Sequence, residues 1–222
     1  MYFVLFISIA LLSWARSALL DQRFKKYAKV YLPLTGREVA EKMLRDNGIY
    51  DVQVTCTPGH LTDHYDPRNK TVNLSEAVYS SNNVAAAAVA AHECGHAVQH
   101  AFSYAPLNMR SALVPVVNFA SQWVTWILLG GILMVETFPQ LLLVGIILYA
   151  LTTLFAFITS PVEINASRRA IAWLEQSGIT DYQTTPMASS ALRSAAYTYV
   201  VAALSSLGTL IYYILIFTSR RD

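Results

Sequence analysis

Charge is what this sequence has least of. Only 14% of its 222 residues are Asp, Glu, Lys or Arg, while 55% are hydrophobic and the mean hydropathy is +0.39. A soluble domain carries about a quarter charged residues, so the composition excludes an ordinary water-soluble globule and points to a membrane. Cysteine is nearly absent too: Cys56 and Cys94 cannot make a disulfide framework, and both read as small buried side chains. Nor is there an excess of one charge sign. A net charge of +2 gives no footing for nucleic acid, and the basic cluster Arg23 to Lys29 fits anionic lipid headgroups better. Internal repeats are missing, as is low complexity beyond a run of alanines.

What the chain does have is long apolar runs. Four of them, 2–20, 113–135, 138–159 and 197–217, meet the roughly 20 residues that a membrane span needs. Met1 to Trp14 holds no Lys or Arg, which argues against a cleavable secretory signal despite the small residues Ala15 and Ser17. The first run is therefore expected to be a retained span, with Arg16 snorkelling to the interface. Spans two and three are separated only by Glu136 to Gln140, so they form a hairpin and residues 112 and 161 lie on one face. Fourteen of the sixteen Lys and Arg residues fall on that face, which makes it cytoplasmic and puts both termini outside. Arg220 and Arg221 run against the rule.

Between the spans, Thr35 and Glu38 form a capping box that opens a helix over Val39, Met43 and Leu44, closed by Gly48. The alternation Val52, Val54, Cys56 predicts a strand, Leu61 to Asp66 is extended, and Asp66-Pro-Arg-Asn69 is a turn. Lys70 to Leu74 predicts a second strand, antiparallel to the first; its edge could pair with an extended substrate or simply shield a site. Asn83 is among the candidate N-caps of a helix from Val84 to about Tyr104. Ser160-Pro161 predicts the start of another helix running to Gln176, and Thr185-Pro186 the last.

The helix at 84–104 holds His92-Glu93-Cys94-Gly95-His96, an H-E-x-x-H pattern. With five His and seven Glu in the chain, chance would supply roughly 0.003 such patterns. Residues four apart on a helix are offset by about 40° and rise about 6 Å, so both imidazoles can reach one ion. Zn²⁺ suits two imidazoles and a carboxylate, and lowers the pKa of its water towards about 7. Glu93 is then placed as general base and proton donor to the leaving amine.

A third ligand is needed. The downstream candidates are His100, Glu136, Glu163, Glu175, Asp181 and Asp222, of which Glu136 and Asp222 lie across the membrane in this topology. His100 is about 12 Å along the helix from His92, too far for one ion to meet all three rings, and takes a supporting or interfacial role. Glu163 is preferred, although Ser160-x-x-Glu163 is also a capping box that would explain a glutamate there without metal. His60 and His64 read as loop residues, His64 with a possible role as oxyanion donor. Arg168 and Arg169 suit phosphate or carboxylate contacts, or support of the site from outside the ligand set.

Leu61-Thr-Asp-His-Tyr-Asp-Pro67, Ala91-His-Glu-Cys-Gly-His-Ala-Val-Gln-His100, Pro106-Leu107 and Pro161-Val-Glu-Ile-Asn-Ala-Ser-Arg-Arg-Ala170 together resemble the YugP-type neutral zinc metallopeptidases, a family of bacterial membrane proteins. The resemblance runs over nearly the whole chain. It implies a gluzincin-like site with His92, His96 and Glu163 on one zinc ion and Glu93 as the base. A more distant likeness is to membrane proteases of the HtpX and CAAX-processing type, where Glu-x-x-Ala-Asp follows the span pair; here Ser167 stands in place of the acid.

The expected fold is a mainly α membrane protein of about four transmembrane helices with a small α+β zinc peptidase domain on the cytoplasmic side of a bacterial inner membrane. Its expected division is a span at 1–20, a metallopeptidase domain at 21–112, a transmembrane hairpin at 113–160, a ligand helix and connector at 161–196, and a last span and tail at 197–222. The implied partners are the lipid bilayer and a protein or peptide substrate, with no nucleic acid. Two other readings remain: a non-proteolytic zinc-stabilised scaffold, which an intact Glu93 disfavours, and an intramembrane site-2-type protease, which the absence of a Leu-Asp-Gly run disfavours.

Overall fold

Thr35 opens a helix as expected. In the computed structural model, which describes the backbone of residues 2–219 and side chains from residue 7, its hydroxyl accepts from the Glu38 amide while the Glu38 carboxylate accepts from the Thr35 amide at 2.8 Å. The elements are α1 (Tyr2–Tyr27), α2 (Gly36–Asp46), β1 (Gln53–Thr57), β2 (His64–Asp66), β3 (Thr71–Ser75), α3 (Glu76–Tyr79), α4 (Val84–Ala101), α5 (Ala105–Leu133), α6 (Pro139–Gln176) and α7 (Thr184–Thr218). The architecture is thus mainly helical with one small sheet.

The sheet corrects the expected pairing. Its order is β1-β3-β2, with β1 parallel to β3 and β2 antiparallel to it. The turn at Asp66 is where the sequence puts it, its carboxylate accepting from the Arg68 amide at 2.8 Å, but it joins β2 to β3. β1 then adds to the far side of β3, an arrangement that needs a longer connection than a hairpin. β3 is consequently the central strand, with Val72 and Leu74 fully buried, and offers no free edge. Cys56 on β1 is exposed, against expectation, while Cys94 is buried and points its thiol at the Ala40 carbonyl.

α4 runs through the middle of the main core. Small residues on nearly every side of it are buried, Ala85 to Ala88, Ala90, Ala91 and Ala97 among them, as befits a helix surrounded by protein. It packs in one cluster with Val39 and Met43 of α2, Leu74 of β3, Leu174 of α6 and Leu192 of α7. Its start is fixed by Asn83, whose side chain accepts from the Ala86 amide, and by pairing of the preceding residues with the segment after α1. It ends at Ala101, three residues short of the expected boundary, in a turn where Ser103 takes a positive φ.

α5, α6 and α7 are long and apolar enough to cross a membrane. The expected first span, 2–20, falls partly on residues whose side chains lie outside the described set. α5 and α6 form the expected hairpin, and they pack so closely that a Cβ on Gly131 would stand 2.6 Å from Leu142 Cα. Large apolar side chains such as Trp126 and Ile147 face outward. The expected helix start at Pro161 is not found: α6 is continuous through it, 38 residues or about 57 Å. Proline is tolerated inside such helices because neighbouring groups take up the freed backbone. Ser160 lies mid-helix, its hydroxyl donating to the Ala156 carbonyl, so it does not cap Glu163.

Candidate metal centre

His92 and His96 stand one turn apart on α4, their rings edge to face at 4.8 Å between centroids. The third group comes from α6. Gly95, inside the motif, is what lets α6 approach: a Cβ there would lie 2.7 Å from the Ala166 carbonyl oxygen. One turn before Ala166, Glu163 directs Oε2 at His92 Nε2 (3.2 Å) and His96 Nε2 (3.5 Å). One donor atom from each of the three lies within 4.8 Å of the others. Glu163 and His96 are buried, at 4% and 7% exposure.

The second nitrogen of each ring is engaged elsewhere. His96 Nδ1 meets Gln99 Oε1 at 3.0 Å, and the Gln99 amide nitrogen donates to the Val162 carbonyl (2.8 Å) and to Asn165 Oδ1 (3.0 Å). With its nitrogen committed to two acceptors, Gln99 can only accept from His96, so Nδ1 carries the hydrogen and Nε2 keeps its lone pair. Arg169 braces this network through Asn165 at 2.8 Å. Likewise Ser167 Oγ stands 3.1 Å from His92 Nδ1 and can accept its hydrogen.

Glu163 Oε2 thus faces the ring nitrogens of His92 and His96 at 3.2 and 3.5 Å, and a carboxylate facing an imidazole lone pair is repelled unless a cation stands between them. Ligand atoms on a tetrahedral zinc at bond lengths of 2.0–2.2 Å are about 3.4 Å apart, so both separations from Glu163 match such an ion, and the three donor atoms, all within 4.8 Å of one another, could hold one. The same field acts on a proton. Burial disfavours the charged form of His96, yet the hydrogen bond to Glu163 and the charges of Glu93 and Glu163 outweigh it and raise its pKa. Burial pushes the Cys94 thiol well up, which leaves it protonated and no ligand.

Glu93 is buried beside this cluster and makes no hydrogen bond or ion pair among the described residues. The remaining candidates lie elsewhere. His100 Nδ1 meets the Tyr65 hydroxyl at 2.9 Å, tying α4 to β2. His64 is exposed, its ring nitrogens occupied by the Thr62 carbonyl and Asn73. His60, Glu136, Glu175 and Arg168 are exposed, and Asp181 caps the start of α7 through Thr184. Asp222 is outside the described residues.

A family model described as "Putative neutral zinc metallopeptidase" matches residues 2–218. The chain belongs to this family. Among curated proteins, the chain is 42% identical over 223 residues to "Putative membrane protease YugP" of Bacillus subtilis (strain 168), covering 98% of each. No solved structure matches it. Family membership implies zinc, and the His92, His96 and Glu163 cluster is where the described residues could hold it. Sequence reasoning did not single out Gln99 or Arg110. Gln99 stands three residues after His96 on the same helix, a spacing that brings two side chains together, whereas Arg110 is placed by tertiary contacts that no spacing signals.

Proposed function

We propose that the chain is a multi-pass membrane zinc endopeptidase in which His92, His96 and Glu163 hold one zinc ion and Glu93 is the general base. The convergence of these three side chains, with a buried and unpaired carboxylate beside them, carries the reading. When bound, zinc supplies Lewis acidity, which makes water nucleophilic near neutral pH and polarises a peptide carbonyl. Glu93 takes a proton from the attacking water and passes it to the departing amine. Gln99 and Ser167 keep the imidazoles in the tautomer that leaves Nε2 free. The site's low exposure keeps bulk water away from these charges.

In the same reading α1 is a fourth span, held against α7 by Arg23, which donates to the Ser190 carbonyl and the Ser194 hydroxyl. The short α5–α6 turn leaves α4 and the far half of α6 on one side of a bacterial inner membrane, and the Lys and Arg excess makes that side cytoplasmic. The peptidase unit is then 21–112 completed by 161–196, and the substrates are peptide segments near the membrane surface. E93Q tests the chemistry: the purified variant should keep its zinc and lose peptide cleavage. Cleavage equal to the parent chain would refute the enzyme reading.

A further inference from the structure

Arg110 is the one Lys or Arg between Lys70 and Arg168, and it stands on α5 close to where that helix becomes a membrane span. Its Nη1 lies 3.7 Å from Glu163 Oε1. Its Nε is buried with no hydrogen-bond partner among the described residues. A partly dehydrated guanidinium at a membrane helix is costly unless an acid answers it. Glu163 is the one acid within ion-pair distance of it among the described residues.

The two oxygens of Glu163 are therefore divided. Oε2 faces the imidazoles at 3.2 and 3.5 Å, and Oε1 faces the guanidinium. A carboxylate on a flexible side chain can otherwise rotate and offer either oxygen, or both, to an ion. We propose that Arg110 is a positioning residue for the metal centre: it restrains Oε1 and so fixes Oε2 as the single ligand atom of Glu163. It also offsets the negative charge that Glu93 and Glu163 bring into one buried space. The inference rests on the reading that His92, His96 and Glu163 hold zinc.

The test uses the full chain in detergent. Zinc affinity is measured by competition with a chelator, and the visible spectrum is recorded with cobalt(II) in place of zinc, for the parent chain, R110Q and R110K. R110Q is expected to bind zinc 10- to 100-fold more weakly, as loss of a group that orients a ligand does, with an altered cobalt spectrum. R110K should fall between, since an ammonium keeps the charge but not the reach or planar fork of the guanidinium. Zinc affinity within threefold of the parent and an unchanged cobalt spectrum in R110Q would overturn the inference, even if cleavage fell, because Arg110 would then serve the substrate. If R110Q fails to fold, R110K decides: weaker zinc binding supports the role, and parental affinity with a parental spectrum refutes it. A parent chain that binds no zinc would bring down the proposed function itself, and this inference with it.

Discussion

Gly95 touches α6 where any other residue would collide with it: its missing Cβ would lie 2.7 Å from the Ala166 carbonyl oxygen. That oxygen is backbone and cannot swing aside. Gly95→Ala should thus push α6 away from α4 and carry Glu163 off the imidazoles. We expect a loss of about 1–3 kcal/mol in stability, typical of overpacking, and a drop in zinc affinity of at least about tenfold. Thermal unfolding in detergent and chelator competition read the two effects. A G95A protein with parental zinc affinity would show that the helices have room to spare.

Gln99 joins α4 to α6 through one buried amide, accepting from His96 and donating to Val162 and Asn165. Gln99→Leu keeps the bulk and removes every one of these bonds. The buried His96 Nδ1 loses its acceptor, at a cost of about 1–3 kcal/mol. His96 loses what fixes its tautomer, so zinc affinity should fall about 10- to 100-fold while the helical content measured by circular dichroism stays constant. Unchanged affinity in Q99L would remove Gln99 from the metal site.

Asp46 at the end of α2 accepts from the Trp173 indole on α6 at 3.0 Å and pairs with Lys42. The Lys42 hydrogen bond is the main cause of a lowered carboxyl pKa; burial opposes it next, and the Trp173 indole and the charges of Lys42 and Arg45 then add to the lowering. A folded-state pKa below the unfolded one stabilises the fold above the unfolded value, near 3.9, and that stability is lost as pH falls through the folded value. Trp173 fluorescence should therefore report loosening of α2 from α6 below about pH 4, and D46N should lessen the pH dependence. An identical acid profile in D46N would assign the effect to other carboxylates.

Much of the site was legible because its signal is local. His92, Glu93 and His96 share one helix, and a spacing of four on a helix is itself a statement about distance. The capping box at Thr35 and the turn at Asp66 were legible for the same reason, being backbone bonds closed within a few residues. The strand pairing was not. Which strand lies beside β3, and in which direction, depends on a chain reversal that residues 58–63 leave unspecified. Proline 161 misled for a physical reason: in water it would mark a helix start, but a helix leaving a membrane among packed neighbours runs through it.

By itself, then, the sequence determined an apolar chain with long hydrophobic helices and an H-E-x-x-H helix, since composition and short-range periodicity are properties of the linear chain. The tertiary structure decided what surrounds the motif. Glu163 lies 71 positions from His92, and as a sequence feature it also had a reading as part of a capping box. Close packing of α6 on Gly95 brings its carboxylate to the imidazoles, and packing alone places Ser167 and Arg110 around them. Contacts of that kind are set by the meeting of two helix surfaces, which no spacing along one chain encodes.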